Sequence, residues 1–543
     1  MILRRALCLG FAAACVVGFA WEGPRAEAGD AQEIEAGRRI YEEGVLLSGG
    51  ALRALRGGGV TLTGKSAACV HCHRRSGMGS IEGGRVIPPV AGMILFSVPV
   101  KPARRNPPDS ITVVEPRYLS RPAYDAKSFG VALREGIAPG DAALDYLMPR
   151  YVLDDADVRS LIAYLRTLSA NASPGVETKT VHFATVVTPG VDPVRKEAML
   201  EVLRGCFAER TPRVMMPGMR TWTLHVWELD GPESQWPAQL AAHYRAAPVF
   251  AMVSGLGAGS WEPVHGFCER KALPCLFANT DLPGARQAGY ASFYFNDGVA
   301  LEARIAGRFF ADATEAKRPR RVLQVFRAGD IGAVAARVLA ESLAKDGIAS
   351  EMRPVSADDR RGESLAGVTP QDALVFWLRP ADVAGMVEAI DAPPPARVIL
   401  FSGLLGGPEA ASLSAAWRNR SLLIYPLDAP NRRALRMSFN LHPWLLKHRL
   451  PTDGDGEALR GNTLAACKLL DDAMARMRGH NVRDYLIESI ERPMGNSAAT
   501  SAYPRFALGV GQRYASKGGY IVRFAQGGSA DAALVPETDW IVP

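Results

Sequence analysis

The sequence predicts a multidomain protein in which an all-α domain at residues 30–170 precedes a larger α/β domain at residues 179–543. The chain has 543 residues, which is more than one hydrophobic core usually serves. The first part shows helical periodicity at both of its ends. The remainder alternates short apolar strands with helices, a pattern typical of parallel sheets covered by helices.

Residues 1–28 have the pattern of a signal peptide. Arg4 and Arg5 give a positive start, residues 6–20 are apolar, and Ala26-Glu27-Ala28 fits the small-x-small cleavage rule. The apolar run is shorter than the roughly 20 residues that a membrane helix needs, and no later stretch is long enough. We therefore expect cleavage near Ala28, export to the periplasm and no membrane span in the mature protein.

The string Cys69-Val70-His71-Cys72-His73 is typical of c-type haem attachment. In such a motif both thiols add to the haem vinyl groups, and the second histidine ligates the iron. The sequence has no second Cys-x-x-Cys that would complete a zinc site. We therefore predict one covalent haem c on Cys69 and Cys72, with His73 as an axial ligand and His71 as a surface side chain.

The surroundings of this motif resemble a mono-haem class I cytochrome c. The resemblance rests on the haem motif, on Met148-Pro149, and on the closing string at residues 155–165, which overlaps the predicted helix at residues 156–168. It implies that the first and last helices cross, with Gly37 and Tyr41 near Tyr164.

The same resemblance implies a proline carbonyl, from Pro88 or Pro89, that accepts the Nδ1 proton of His73. Met148 is the favoured sixth ligand because the following proline holds its loop extended; Met78 and Met93 are the alternatives. With both axial positions filled, the haem suits electron transfer rather than enzyme chemistry.

Residues 179–543 follow a βαβ rhythm that resembles a type I periplasmic binding protein of the branched-chain amino acid/amide class. The resemblance rests on the Val253-Ser254-Gly255-Leu256-Gly257 turn, on Asn279-Thr280 and on Phe295-Asn296-Asp297. It implies two lobes that close on a small-molecule ligand. The glycines after Ser254 lack the Gly-x-Gly-x-x-Gly spacing of a dinucleotide site.

Polar residues at the ends of predicted strands are the candidate ligand contacts, because open α/β sheets bind ligands there. By position these are Ser254, Ser260, Asn279 and Thr280 in the first lobe, and Asp330 and Ser402 in the second. Turn and cap chemistry explains the same residue types equally well.

Four cysteines remain in the second domain, and an even number in an oxidising compartment suggests disulfides. We predict the pairs Cys268–Cys275 and Cys206–Cys467. Buried free thiols are the alternative.

Residues 417–446, with Ile424-Tyr425-Pro426, and the ending Asp539-Trp540-Ile541-Val542-Pro543 resemble binding-protein-like components of PQQ-dependent alcohol dehydrogenase systems. The resemblances together imply a cytochrome c domain, a linker at residues 171–178 and a two-lobed binding-protein-like domain. The expected function is periplasmic electron transfer from or for a quinoprotein dehydrogenase. The alternative is a solute receptor with a redox-sensing haem.

An enzyme is disfavoured because no nucleophile–base constellation stands out in the sequence. Nucleic acid is not an expected partner. The formal net charge is +7, but the sequence contains no Lys/Arg tract with interleaved aromatic residues.

Overall fold

The structure is a computed structural model, and it divides the chain into two compact units, Met1–Ala170 and Asn171–Pro543, here called the N-terminal and C-terminal units. The boundary coincides with the end of the predicted first domain. The predicted signal peptide lies outside the described residues, apart from Ala28. The structure describes residues 28–97, 121–210, 220–284, 289–355, 363–388, 390, 392–406, 413–452, 454, 456–492, 496, 498–525 and 534–543.

The N-terminal unit combines helices with short antiparallel strands. Its helices are α1 (Ala28–Glu43), α2 (Val70–His73), α3 (Gly92–Leu95), α4 (Ala126–Arg134) and α5 (Asp155–Thr167). Its strands are β1 (Arg53–Arg56), β2 (Val60–Thr63), β3 (Ser80–Glu82), β4 (Arg85–Ile87), β5 (Ile137–Ala138), β6 (Ala142–Ala143) and β7 (Arg150–Val152).

The expected all-α class of this unit is wrong in one respect, since β2, β1 and β7 form a three-stranded antiparallel sheet. The glycine-rich stretch before the Cys69 motif makes its first hairpin. Gly58 and Gly59 both have positive φ, +85° and +79°, which suits a tight turn between β1 and β2. Two further two-stranded hairpins, β3–β4 and β5–β6, complete the unit.

Helices α1 and α5 cross as the cytochrome resemblance implies. A Cβ on Gly37 would lie 1.9 Å from the carbonyl oxygen of Ser160, so only glycine allows this approach. The rings of Tyr41 and Tyr164 lie 5.5 Å apart at the same crossing. The predicted contact of Gly37 and Tyr41 with Tyr164 is therefore confirmed.

Gly37→Ala is expected to destabilise the N-terminal unit by about 1–3 kcal/mol, because the added methyl group forces the helices apart. In hydrogen exchange read by mass spectrometry on the full chain, peptides of α1 and α5 should exchange faster. Gly50→Ala is the matched control, since the nearest atom to its added Cβ is Ser48 Oγ at 3.4 Å. Equal exchange in both variants would contradict a tight crossing.

The C-terminal unit is built from alternating strands and helices. Its helices are α6 (Pro193–Glu209), α7 (Trp236–Ala246), α8 (Glu262–Arg270), α9 (Gly298–Ala311), α10 (Gly332–Lys345), α11 (Pro380–Glu388), α12 (Gly403–Gly406), α13 (Ala415–Arg418), α14 (Pro430–Asn440), α15 (His442–Lys447), α16 (Glu457–Met477) and α17 (Arg483–Ile490). Its strands are β8 (Thr180–Val187), β9 (Thr221–Glu228), β10 (Ala251–Val253), β11 (Cys275–Ala278), β12 (Ser292–Tyr294), β13 (Arg321–Arg327), β14 (Ala349–Val355), β15 (Ala373–Trp377), β16 (Val398–Ser402), β17 (Ser421–Tyr425), β18 (Tyr520–Phe524) and β19 (Leu534–Pro536).

Two sheets define two lobes in this unit. The first lobe has the parallel order β12-β11-β10-β8-β9. The second has the order β14-β13-β15-β16-β17-β18-β19, in which only the pairs β17–β18 and β18–β19 are antiparallel. Helix α16 packs on β10 and β11, so the chain returns to the first lobe before β18 and β19 rejoin the second. The predicted α/β class is confirmed.

The predicted linker at residues 171–178 is instead tied to the C-terminal unit. The Ser173 N–H donates to the Asn481 carbonyl (3.1 Å), and the Ser173 hydroxyl accepts from the Arg483 N–H (3.0 Å). Gly175 has a φ of +84° and lies against the backbone of Phe250. A sequence rich in Ser, Pro and Gly therefore serves here as an ordered, hydrogen-bonded segment.

The cysteines follow the prediction only in part. Cys268 and Cys275 form the predicted disulfide. The predicted Cys206–Cys467 disulfide is wrong, because both are buried free thiols, on α6 and α16. Burial, and then the hydrogen bond between the two thiols, raises the pKa of Cys467. The pair Cys206–Cys467 was predicted only as the remainder after Cys268–Cys275, and the structure bears out the alternative of buried free thiols.

A buried ion pair joins the end of α17 to the segment before β18. Arg513 Nη1 lies 2.7 Å from Glu491 Oε1, and the two side chains are only 4% and 3% exposed. Arg513 also donates to the Gly289 carbonyl (3.0 Å).

None of the helices in the described ranges is long and apolar enough to cross a membrane.

Candidate functional site

The Cys69–His73 motif occupies one short helical turn. Cys69 is the residue before α2, and Cys72 lies within it. Both are free thiols, Cys69 partly buried and Cys72 exposed. Burial raises the pKa of Cys69 to about 12, although its hydrogen bond with the Tyr151 hydroxyl opposes this. The two free thiols therefore lie one helical turn apart, the arrangement that is typical of haem attachment.

His73 is held in an orientation that suits a metal ligand. It is 6% exposed, and its Nδ1 lies 2.9 Å from the Pro88 carbonyl oxygen. A carbonyl only accepts, so Nδ1 carries the proton and Nε2 keeps its lone pair. Burial lowers the pKa of His73, which favours the neutral imidazole. The proline partner is Pro88, one of the two predicted.

His71 lies apart from this arrangement. It is exposed, and its Nε2 lies 2.8 Å from the Lys65 carbonyl oxygen. Its exposure agrees with the prediction of a surface side chain.

The three candidate methionines differ in their surroundings. Met78 and Met148 pack, partly buried, against the same apolar core as Cys69. Met93 is 43% exposed on α3. Met148 precedes β7, whose Tyr151 hydrogen-bonds Cys69, so its loop leads directly to the Cys69 thiol.

Arg150 braces the loop that carries Met148. Its guanidinium donates to the Met148 carbonyl (2.5 Å) and to the Glu135 carbonyl (3.1 Å). Gly136 has a φ of +79°, and a Cβ there would collide with the Arg150 guanidinium. The loop is thus fixed by side-chain hydrogen bonds that sequence reasoning did not identify.

The donor set of this site fits haem c. It offers two free thiols on one turn, a neutral imidazole with an oriented Nε2, and a braced methionine loop. When bound, a haem would supply reversible one-electron chemistry at its iron. Cys69 and Cys72 would hold the porphyrin, and His73 would ligate the iron.

In the first lobe of the C-terminal unit the structure brings two predicted site residues together. Ser254 follows β10 with a φ of +56°, and its hydroxyl accepts from Asn279 Nδ2 (3.1 Å). Its hydroxyl also lies 3.5 Å from Thr463 Oγ1 of α16. A neighbouring cavity of about 10 Å³ has room for one water molecule, not for an amino acid.

Ser260 and Thr280 are engaged in local turns. The Ser260 hydroxyl accepts from the Glu262 N–H (3.2 Å) at the start of α8. The Thr280 hydroxyl lies 3.4 Å from both the N–H and the carbonyl oxygen of Leu282. The turn and cap chemistry considered from the sequence accounts for these two residues.

In the second lobe Asp330 is paired with Arg379, which sequence reasoning missed. Arg379 donates to Asp330 at 2.8 and 3.0 Å and to the Ala258 carbonyl of the first lobe at 3.0 Å. Arg379 therefore bridges the two lobes. It lies two residues after β15, so the strand-end rule that selected Asp330 also applies to it.

Ser402 is only 1% exposed and is engaged by Glu302 rather than by solvent. Glu302, on α9, is fully buried and accepts from the N–H groups of Gly403 (2.9 Å) and Leu404 (3.0 Å). Burial raises the pKa of Glu302 to about 8, although these hydrogen bonds lower it. A neutral carboxyl therefore fastens α9 to the end of β16.

Glu302→Gln is expected to flatten the pH dependence of stability. The native carboxyl holds its proton to about pH 8, whereas the unfolded one ionises near 4.5. Between these values unfolding releases a proton, so the free energy of unfolding falls as pH rises, by up to about 1.4 kcal/mol per pH unit. Urea unfolding at several pH values from 5 to 8 measures the slope. Glu315→Gln, at an exposed position, is the control and should keep the wild-type slope. A wild-type slope in Glu302→Gln would contradict the prediction, because it would mean that the native Glu302 carboxyl is already ionised at pH 5.

A further polar group missed by sequence reasoning lies beside Arg379. Burial raises the pKa of Asp281, which follows β11, while Arg195 and Arg379 lower it. Near it, the ring of Tyr503 stacks on Phe295 at 5.5 Å. Asp281 and Arg379 thus place opposite charges where the two lobes meet.

Comparisons with known proteins place the C-terminal unit in a fold class. No protein-family model and no curated protein sequence matches the chain. A branched-chain amino acid ABC transporter protein from Thermus thermophilus, solved with bound valine, is 13% identical with a TM-score of 0.50 and covers 68% of this chain and 98% of its own.

Two other solved structures are similar at lower TM-scores. A leucine-binding protein from Thermotoga maritima is 15% identical with a TM-score of 0.49, covering 67% of this chain and 99% of its own. A fatty acid ABC transporter substrate-binding protein from Thermomonospora curvata is 15% identical with a TM-score of 0.47, covering 69% and 95%.

The C-terminal unit therefore has the fold of the type I periplasmic binding proteins, as the likeness to the Thermus structure shows. The share of this chain that is covered corresponds to the length of the C-terminal unit.

Proposed function

We propose that this protein is an exported c-type cytochrome that carries a binding-protein-like unit and transfers electrons through one covalent haem. The observation that carries the proposal is the His73–Pro88 hydrogen bond beside two free thiols on one helical turn. A redox dithiol role would not call for a buried histidine with its Nδ1 fixed. Among the described residues, no group of three or more His, Cys, Asp or Glu side chains could hold a zinc ion.

The proposal is tested by producing the chain, signal peptide included, in a bacterium with a c-type haem maturation system. We expect a haem that stays with the polypeptide on a denaturing gel and gives a c-type visible spectrum. Cys69→Ser/Cys72→Ser should abolish attachment. Cys206→Ser, which removes a thiol of the C-terminal unit, should retain it. A wild-type chain without covalent haem would refute the proposal.

A quinoprotein dehydrogenase is the proposed electron donor, on the basis of the sequence resemblance of residues 417–446 and 539–543. Purified holoprotein mixed with a PQQ-dependent alcohol dehydrogenase and ethanol should show haem reduction that depends on both. If the haem is reduced no faster with the dehydrogenase than without it, a quinoprotein dehydrogenase is excluded as the electron donor. The haem assignment itself would not be affected.

The second candidate function is that of a solute receptor with a redox-sensing haem. The binding-protein fold favours it, together with the Ser254–Asn279 pair and the charged Asp281 and Arg379 between the lobes. The valine bound by the Thermus protein suggests small amino acids or amides as first ligands to test.

Thermal unfolding with branched-chain amino acids and their amides discriminates the two functions. A ligand at 100 times its dissociation constant stabilises the native state by about 2.7 kcal/mol, which a melting curve detects readily. Stabilisation that is lost in Asn279→Ala supports the receptor. No stabilisation, with intact reduction by the dehydrogenase, supports the electron carrier.

A further inference from the structure

Helix α14 exposes two large apolar side chains while it holds one of its arginines against the protein. Arg436 faces the protein, where it donates to Asp428 Oδ2 (3.1 and 3.2 Å) and to the carbonyls of Ala499 and Ser501. Leu435 and Phe439, one turn apart, are instead 62% and 73% exposed. A surface helix of a globular protein normally does the opposite.

The next helix, α15, contacts α14 and also exposes a large apolar side chain. Its Leu446 is 66% exposed. Residues 429–452 contain the five basic residues Arg432, Arg433, Arg436, Lys447 and Arg449 and no Asp or Glu. The α14–α15 surface, defined as the exposed side chains of residues 430–449, therefore combines apolar and cationic groups.

The acids that meet these cations lie deeper than the cations do. Arg432 is 63% exposed while its partner Asp428 is 10% exposed. Lys447 is 66% exposed while its partner Glu209 is 32% exposed. The outermost layer of the α14–α15 surface is therefore positive as well as apolar.

We propose that the α14–α15 surface docks on an anionic phospholipid membrane. Leu435, Phe439 and Leu446 would enter the boundary between headgroups and acyl chains, and Arg432, Lys447 and Arg449 would meet the lipid phosphates. Exposed apolar side chains bordered by Arg and Lys are the pattern of helices that lie in a membrane interface. A second copy of this positive surface would be repelled. This inference goes beyond the electron-transfer proposal and does not depend on the haem.

The test is flotation of the full chain, purified without its signal peptide, with vesicles of phosphatidylcholine alone or containing one-third phosphatidylglycerol. Binding should require phosphatidylglycerol and weaken in high salt, because exposed charges are then screened. Leu435→Ser/Phe439→Ser should reduce the partition coefficient at least fivefold. Both positions are exposed, so melting curves should match those of the wild type.

Val194→Ser/Val510→Ser is the matched control, since these valines are 76% and 67% exposed elsewhere on the C-terminal unit. It should bind vesicles as the wild type does. Failure of the wild type to float with phosphatidylglycerol vesicles overturns the proposal, whether or not the surface then captures an acidic protein. Equal binding by Leu435→Ser/Phe439→Ser and the wild type overturns it as well.

Discussion

Met148→Leu is expected to abolish the sulfur-to-iron charge-transfer band of the proposed haem and to lower its reduction potential by on the order of 100 mV. Leucine keeps the packing against the core shared with Cys69 but offers no thioether. The loop should remain in place, because the Arg150 guanidinium donates to the backbone carbonyl of residue 148, which the substitution does not change. Spectroscopy of the oxidised protein and a redox titration measure the two effects.

Met93→Leu and Met78→Leu serve as controls for this ligand assignment. Met93 is largely exposed, and its replacement should leave band and potential unchanged. If the charge-transfer band is unchanged in Met148→Leu but lost in Met78→Leu, then Met78 and not Met148 is the axial ligand. Covalent haem attachment should survive in all three variants, because it depends on Cys69 and Cys72.

Arg513→Met is expected to lower the free energy of unfolding of the C-terminal unit by about 3–5 kcal/mol. The substitution removes the guanidinium charge 2.7 Å from the buried Glu491 carboxylate, and it also removes the donor to the Gly289 carbonyl. Urea unfolding followed by tryptophan fluorescence measures the loss, because every tryptophan in the described ranges lies in the C-terminal unit.

Arg523→Met is the matched control for the buried pair. Arg523 lies 3.3 Å from Glu537, but both side chains are nearly half exposed, so its loss should cost less than about 1 kcal/mol. Similar losses for Arg513→Met and Arg523→Met would show that burial does not decide the strength of the Arg513–Glu491 pair.

Sequence reasoning succeeded where short spacing controls geometry. The turn at Cys69–His73, the alternation of strands and helices, and the Cys268–Cys275 disulfide are all local patterns. The crossing at Gly37 was reached through resemblance, which adds long-range information that a single sequence lacks. The β2-β1-β7 sheet was missed because β7 lies almost a hundred residues from β1.

Among the strand-end residues of the C-terminal unit, too, local patterns were predicted from the sequence and long-range contacts were not. The strand-end rule located Ser254 and Asn279, which do meet. It did not reveal that Ser402 is engaged by Glu302, because that contact joins residues 100 positions apart. It also overlooked Arg379, whose partners Asp330 and Ala258 lie in different lobes. Such pairings depend on how helices and sheets pack, which periodicity does not encode.

The hydrogen bond from Arg379 to Ala258 joins the two lobes. If a solute enters only the open cleft, its apparent dissociation constant is the intrinsic constant divided by the fraction of molecules that are open. The larger the fraction of molecules in which this hydrogen bond keeps the lobes closed, the higher the solute concentration that half-saturates the cleft. If the C-terminal unit binds a solute, as the second candidate function proposes, the strength of this one arginine contact would set the solute concentration range over which it binds.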